Sequence, residues 1–355
     1  MKRLSWAGAF LLAAGAISWG VLSDTRDARL QTFLTSIEAA EEQIPYVGTR
    51  VMGGPQRVSL RIWSRDGQKR VDFLGMEGGS KPAPRPLGPR PPFGPGLPLF
   101  LRPGHGQWKR KIKDAALAVR NYDVVVTGRE TVAGRECEVI EVNARHEGRP
   151  SYRVSADLQN RFPLRFEIHS EGRTVFETWF SDIEYRPEIP PKTFDEKARP
   201  NWLRVSQEEV PAERMAAAAG FAVLRPASLP RGFELRGSEI IRLRAEFSKE
   251  LQETVRPFLP FAIPKIDAAV AHYTYTDGLA AVALVECSAS SELWQHLKKF
   301  IPPATGGEAG SVVARKFSDR GGTAYLLEHE GTVVLAAGNV DPGQIELMIR
   351  TLERR

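Results

Sequence analysis

From Tyr122 to Ile183 hydrophobic and polar residues alternate with a period of two. Tyr152, Val154, Ala156 and Leu158 alternate with Arg153, Ser155 and Asp157. Leu164, Phe166 and Ile168 alternate with Arg165, Glu167 and His169, and Phe176, Thr178 and Phe180 with Glu177 and Ser181. Successive side chains of a strand point to opposite faces, so the pattern predicts a meander with one face buried and the other in water. Ala133-Gly134, Glu147-Gly148 and Glu171-Gly172 mark its corners, where glycine accepts the positive φ of a hairpin turn.

The pattern differs on either side. Leu30, Phe33, Leu34, Ile37 and Ile44 form a helical stripe within 24–44, which Pro45 stops. Strands are expected at Tyr46–Met52, Arg57–Arg65 and Gln68–Leu74, with Asp66-Gly67 as a hairpin turn. Residues 78–106 are rich in proline and glycine and read as an inserted loop with polyproline character. Its apolar Phe93, Leu97, Leu99 and Phe100 leave three readings open: a flap over a ligand mouth, a docking arm, or an insertion without a role. The basic run Lys109–Lys113 reads as a solvated face or a contact for an acidic partner.

Prolines 187, 190, 191 and 200 punctuate a domain boundary. Ser206 and Glu209 have capping-box spacing ahead of Met215–Ala219, and Gly220 ends that helix. Strands are expected at Glu234–Leu243, Ala268–Tyr275, Ala280–Cys287, Ser311–Phe317, Thr323–His329 and Thr332–Ala337, with a helix at Ser291–Phe300. Asp341-Pro342 has the N-cap and N1 chemistry of a last helix through Leu352. Strands mixed with helices indicate an α+β domain. The expected organisation is a signal or anchor at 1–23, a β domain at 24–200, a linker helix at 201–220 and an α+β domain at 221–355.

Composition changes this picture little. Of 355 residues, 42% are hydrophobic and 26% charged, an ordinary globular balance. The formal charge of +6 comes without the basic and aromatic pattern of a nucleic-acid module. The N-terminus is more telling. Lys2 and Arg3 precede an apolar stretch from Leu4 to Leu22. This reads as an export signal, the alternative being an uncleaved anchor, and both place the body outside the cytoplasm. Cys137 and Cys287 fall in different halves and read as small buried hydrophobes, although an exported chain has the option of pairing them.

No chemistry emerges. His146, His169 and His329 each precede a Glu-Gly corner, where a polar turn residue accounts for them. There is no Gly-x-Ser-x-Gly elbow, Walker loop, dinucleotide fingerprint or zinc spacing, so neither an enzyme nor a cofactor or metal site is expected. What remains is the in-phase apolar set Leu60, Ile62, Tyr152, Val154, Leu164, Phe166, Phe176 and Phe180, with Trp63, Trp108 and Trp179 nearby. These residues form either a core against the helix at 24–44 or, on a curved sheet, the lining of a lipid-sized cavity.

Several ordered motifs resemble the RseB/MucB periplasmic regulators of the sigma-E envelope-stress response. They are Tyr46-Val47-Gly48-Thr49, Val58–Trp63 with Arg65-Asp66-Gly67, the block Gly128–Ile140, Phe162-Pro163-Leu164-Arg165 and Phe180-Ser181-Asp182-Ile183. Gly220-Phe221, Leu229–Phe233 and Asp277-Gly278-Leu279 continue the likeness into the second half. The resemblance implies an α+β fold: an unclosed antiparallel β-barrel like those of LolA and LolB, with helices in its mouth, followed by a smaller α+β domain. It implies a non-enzymatic periplasmic protein that binds the extracytoplasmic part of a membrane-spanning anti-sigma factor and senses lipid or lipoprotein acyl chains. A lipid or lipoprotein carrier without a regulatory partner is the alternative. The sequence departs from the family at 78–106 and near 245–266, where Phe258, Leu259, Phe261 and Ile263 are apolar.

Overall fold

The computed structural model describes residues 28, 31–37, 39–53, 57–77, 114–194, 203–246, 265–298, 306–309, 312–319 and 322–355. The expected N-terminal signal, the Pro-rich segment, Trp108, the basic run 109–113 and the apolar residues 258–263 lie outside them. Among the described residues no helix is long and apolar enough to cross a membrane.

The first domain is built on β1 (Tyr46–Met52), β2 (Arg57–Arg65), β3 (Gln68–Glu77), β4 (Tyr122–Val132), β5 (Arg135–Ala144), β6 (Ser151–Asp157), β7 (Pro163–Ser170) and β8 (Arg173–Tyr185). They form one eight-stranded sheet in the order β3-β2-β1-β8-β7-β6-β5-β4. The meander β4 to β8 thus returns to β1, and among the described residues β3 and β4 are the edges, so the sheet they form is unclosed. The corners have the expected chemistry: Ala133 and Gly134 take φ of 51° and 74°, the mirror-image turn that suits strand twist.

Helix α1, seen at residues 31–37 and 39–43, ends before Pro45 as the stripe predicts. Leu34 and Ala40 from this helix pack on one face of the sheet. Helix α2 (Ala115–Asn121) lies on the same face. Its N-cap is Asp114, whose carboxylate accepts from the Leu117 amide at 2.7 Å. Gly48 on β1 permits close packing on this face. A Cβ at that position would stand 2.8 Å from the Phe180 ring and from the Asp182 carbonyl.

The second domain contains β9 (Leu203–Glu209), β10 (Leu224–Pro226), β11 (Glu234–Glu246), β12 (Lys265–Thr276), β13 (Ala281–Ser288), β14 (Gly306–Ala309), β15 (Val312–Asp319), β16 (Gly322–His329), β17 (Thr332–Gly338) and β18 (Leu352–Arg354). Its main sheet runs β14-β15-β16-β17-β13-β12-β11-β9, and β10 pairs with β18 apart from it. Helices α3 (Met215–Ala219) and α5 (Pro342–Arg350) pack on one face and α4 (Glu292–Leu297) on the other. Asp341 caps α5 and Gly220 ends α3 in the left-handed conformation, both as expected.

Two expectations fail. Ser206 and Glu209 do not form a capping box. They belong to β9, where they pair with Arg242 and Glu239 of β11, so residues 203–209 open the second sheet and are not part of a linker helix. The last helix stops at Arg350, and Leu352 enters a strand opposite Pro226. In both cases a distant strand supplies hydrogen bonds that outweigh the local signal.

Candidate functional site

The strand registers decide where the candidate residues fall, because directly opposed residues share a face. Tyr152 opposes Ile168, which opposes Phe176, and Val154 opposes Phe166. Arg165 opposes Trp179, which puts Leu164 beside Phe180. Arg50 of β1 lies opposite both Phe180 and Leu60, and Gly48 opposite Ile62. Leu60, Ile62, Tyr152, Val154, Leu164, Phe166, Phe176 and Phe180 therefore lie on one face, the face that α1 and α2 cover.

That face is packed in two patches. Tyr152, Phe166 and Phe176 join Leu34, Ala118, Tyr122 and Ile140. Ile62, Leu164, Phe180 and Leu60 join Ala40, Tyr46 and Phe162, with the Tyr46 and Phe162 ring centres 4.8 Å apart. Leu164 and Phe180 are fully buried, whereas Leu60, Phe166 and Phe176 are only half-buried. The apolar surface also continues beyond the helices. On the edge strand β3, Val71 and Phe73 oppose Ile62 and Leu60 and are 53% and 62% exposed. On the edge strand β4, Val126 opposes Ile140 and is 59% exposed. Sequence reasoning missed these rim residues. The alternation of Val71 and Phe73 with Asp72 was visible, but that β3 and β4 are edges was not.

The opposite face is not simply solvated, contrary to the alternation. Ser155, Asp157 and Glu167 are buried there. Two guanidinium groups clasp Glu167, Arg165 at 2.7 Å and Arg153 at 3.0 Å, and the His169 ring meets it at 3.0 Å. Glu130 of β4 binds Arg153 at 3.1 Å and also accepts from the Ser155 hydroxyl. Asp157 pairs with Arg135 and accepts from the Tyr185 hydroxyl at 3.1 Å. Neighbouring strands satisfy these groups and screen them from water. Trp63 and Trp179 belong to this side as well, beneath Arg70 and Arg57, and so do not line the helix-covered face.

A second constellation lies between the domains. Asp277, fully buried on the turn between β12 and β13, pairs with Arg149 at 3.0 Å, their side chains 0% and 1% exposed. The Tyr122 hydroxyl donates to the same carboxylate at 2.9 Å. The Asn121 side chain donates to the Asp277 carbonyl at 2.9 Å and to that of Gly232 at 3.2 Å. Arg149 also donates to the Arg231 carbonyl and lies over the Phe233 ring, 4.2 Å from its centre. Gly278, at φ 106°, presses on α2 so closely that a Cβ would stand 2.2 Å from the Ala118 nitrogen. Burial pushes the Asp277 carboxyl up from its ordinary value, against the pull of Arg149, and the guanidinium down.

Two further described histidines pair with polar neighbours. His146 meets Asn121 at 3.1 Å, and burial beside Arg231 and Arg149 lowers its pKa. His272 meets Glu239 at 2.5 Å. Among the described residues no group of side chains is arranged to hold a metal ion. Cys137 and Cys287 are free, buried thiols, each pushed up to about 11 by burial.

Comparison with known proteins agrees with this architecture. Residues 102–198 match the MucB/RseB N-terminal domain family. No curated protein sequence matches. The MucA/MucB complex of Pseudomonas aeruginosa contains a chain that is 18% identical, with a TM-score of 0.52, covering 92% of this chain and 99% of that one. A crystal structure of MucB alone aligns with a TM-score of 0.53 at 18% identity, over 92% of this chain and 98% of that one. A further MucB structure, in complex with MucA(peri), aligns at 0.52 and 18%, over 91% and 98%. The chain has the two-domain fold of MucB, and the family match falls within its first domain.

Proposed function

We propose that this protein is a non-enzymatic regulator of the periplasm, which binds the extracytoplasmic region of a membrane-spanning anti-sigma factor and responds to acyl chains at the helix-covered face of its first sheet. The observation that carries the reading is the extent of the likeness. It spans both domains and nearly the whole of the MucB chain, and two of the similar structures are complexes of MucB with MucA. The half-buried Phe166 and Phe176, and the exposed rim of Val71, Phe73 and Val126, supply apolar surface for an acyl chain once α1 or α2 shifts.

The test is an isothermal titration of the exported protein with the extracytoplasmic region of a single-span anti-sigma factor encoded beside it. Saturable binding supports the reading, and no detectable binding at 25 °C overturns it. A parallel titration with a dipalmitoylated peptide examines the lipid arm. Phe176→Asp is expected to abolish binding of that peptide while leaving the circular dichroism spectrum intact. A variant that unfolds identifies Phe176 as core, and a folded variant that binds normally removes it from the site.

A further inference from the structure

The joint between the domains shares residues with the helix-covered face. Tyr122, which donates to Asp277, and Tyr152, whose hydroxyl accepts from the Asn339 side chain at 3.3 Å, both belong to the apolar patch under α1 and α2. Their ring centres are 5.9 Å apart, and Tyr152 lies 5.8 Å from Phe166. Each polar end thus reaches into the second domain while the ring forms part of the first domain's core. The chain reinforces this connection. Asn121 ends α2 and Tyr122 opens β4, and Arg149 stands just before β6, which carries Tyr152.

The joint is also of a kind that can open. An apolar contact that parts exposes its area to water without compensation. A buried ion pair regains the hydration of both charges, so closing it is close to break-even. Both partners are almost completely withdrawn from water here, and Arg149 depends on three further contacts, with the Arg231 carbonyl, Gln344 and the Phe233 ring. The cost of desolvation is therefore high, and the closed state depends on all of these bonds being made together.

We propose that the Arg149–Asp277 joint is a latch that opposes acyl-chain entry: while closed it holds Tyr122 and Tyr152 in the floor of the helix-covered face, and a chain entering that face releases them and loosens the domains. This inference rests on the acyl-chain arm of the reading above. Arg149, Asp277 and Tyr122 are positioning residues in it. By linkage, whatever opens the latch must tighten acyl-chain binding, and the chain must open the latch by the same factor.

The test uses the exported full-length protein and a dipalmitoylated peptide as probe. The double variant R149M/D277N removes both charges, and Tyr122→Phe deletes only one hydroxyl, leaving the ion pair to hold the fold. Each is checked for native circular dichroism. The peptide is expected to bind both variants more tightly, by about fivefold or more for the double variant, in the range of ordinary coupling between sites. In small-angle scattering, saturating peptide is expected to enlarge the wild-type radius of gyration toward that of the peptide-free double variant. Folded variants that bind no more tightly than wild type, or a wild-type radius unchanged at saturation, overturn the latch. If the double variant does not fold, Tyr122→Phe decides alone. If no form binds the peptide, the latch falls with the lipid arm. Titration with the anti-sigma region still judges the regulator separately.

Discussion

Both domains rest on an eight-stranded antiparallel sheet, but the two sheets use their second face differently. In the second domain both faces are apolar. One packs Tyr273, Leu284, Val334 and Ala336 against α3 and α5, and the other packs Val270, Leu326 and Leu335 against α4. Strand β17 is buried at every position. In the first domain one face is apolar and packed under helices, the other sets Trp63 and Trp179 among ion pairs, and the apolar face runs out to exposed edges at Phe73 and Val126. A sheet covered on both sides has little apolar surface to offer a ligand, and among its described strand residues Val205 on the edge β9 is a large apolar side chain left exposed. A sheet covered on one side by two helices, with open rims, keeps some in reserve. On the reading proposed above, the second sheet supplies stability and the first the binding surface.

The largest expected effect breaks that contrast if it fails. Val334→Asp places an unpaired charge at a fully buried position between α5 and the sheet, which costs several kcal/mol. The second domain is expected to lose its cooperative unfolding transition, followed by circular dichroism on heating. A normal transition would mean that this sheet is not the rigid partner.

Next, the first sheet's own face should be graded. Phe180→Ala removes a fully buried ring in contact with Tyr46 and Phe162 and is expected to cost about 3–5 kcal/mol in urea denaturation. Phe176→Ala, at a half-buried position, is expected to cost on the order of 1 kcal/mol. Equal costs would mean that the face is uniform core with no region set apart for a ligand.

A third effect is confined to the second domain. Glu286 is fully buried, one oxygen accepting from the Leu224 amide at 3.0 Å and the other unpartnered among the described residues. Burial pushes its carboxyl up to about 8 from 4.5. The folded state therefore holds a proton that the unfolded state has released. The stabilisation is complete below about pH 4.5 and declines as pH rises to about 8, by up to about 1.4 kcal/mol per pH unit. Glu286→Gln is expected to flatten that slope in denaturation curves taken from pH 5 to 8. An unchanged slope would place the alkaline sensitivity elsewhere.

The smallest effect is at the rim. Phe73→Ser at an exposed edge is expected to change stability by no more than about 0.5 kcal/mol while weakening binding of a dipalmitoylated peptide. A large loss of stability would show that the rim is already packed.

How much of this was legible in the sequence depends on the range of the interaction. The hairpin corners at Asp66-Gly67 and Ala133-Gly134, the stop at Pro45 and the cap at Asp341 are set by residues a few positions apart and could be read in advance, whereas the alternation that puts Tyr152, Phe166 and Phe176 in phase needed the strand registers to bring them to one face. Ser206 and Glu209 misled because a capping-box spacing is equally compatible with a strand, and β11 made the choice. Glu167 and Ser155 were assigned to water because Arg153, which joins Arg165 in burying Glu167, and the Glu130 carboxylate, which binds Ser155, come from other strands. Of the joint, only the Asp277-Gly278-Leu279 motif was visible, and nothing local linked it to Arg149, which lies 128 residues away.

Taken alone, the sequence determined the strands, their turns and the in-phase apolar set, because side-chain periodicity and backbone dihedral preferences are properties of neighbours. Tertiary structure decided which strands became edges, which charges were withdrawn from water, and that two core tyrosines of one domain would hydrogen-bond into the other. Those outcomes depend on desolvation and on pairing between segments far apart in the chain, and a charge is buried only where the folded chain brings it a partner.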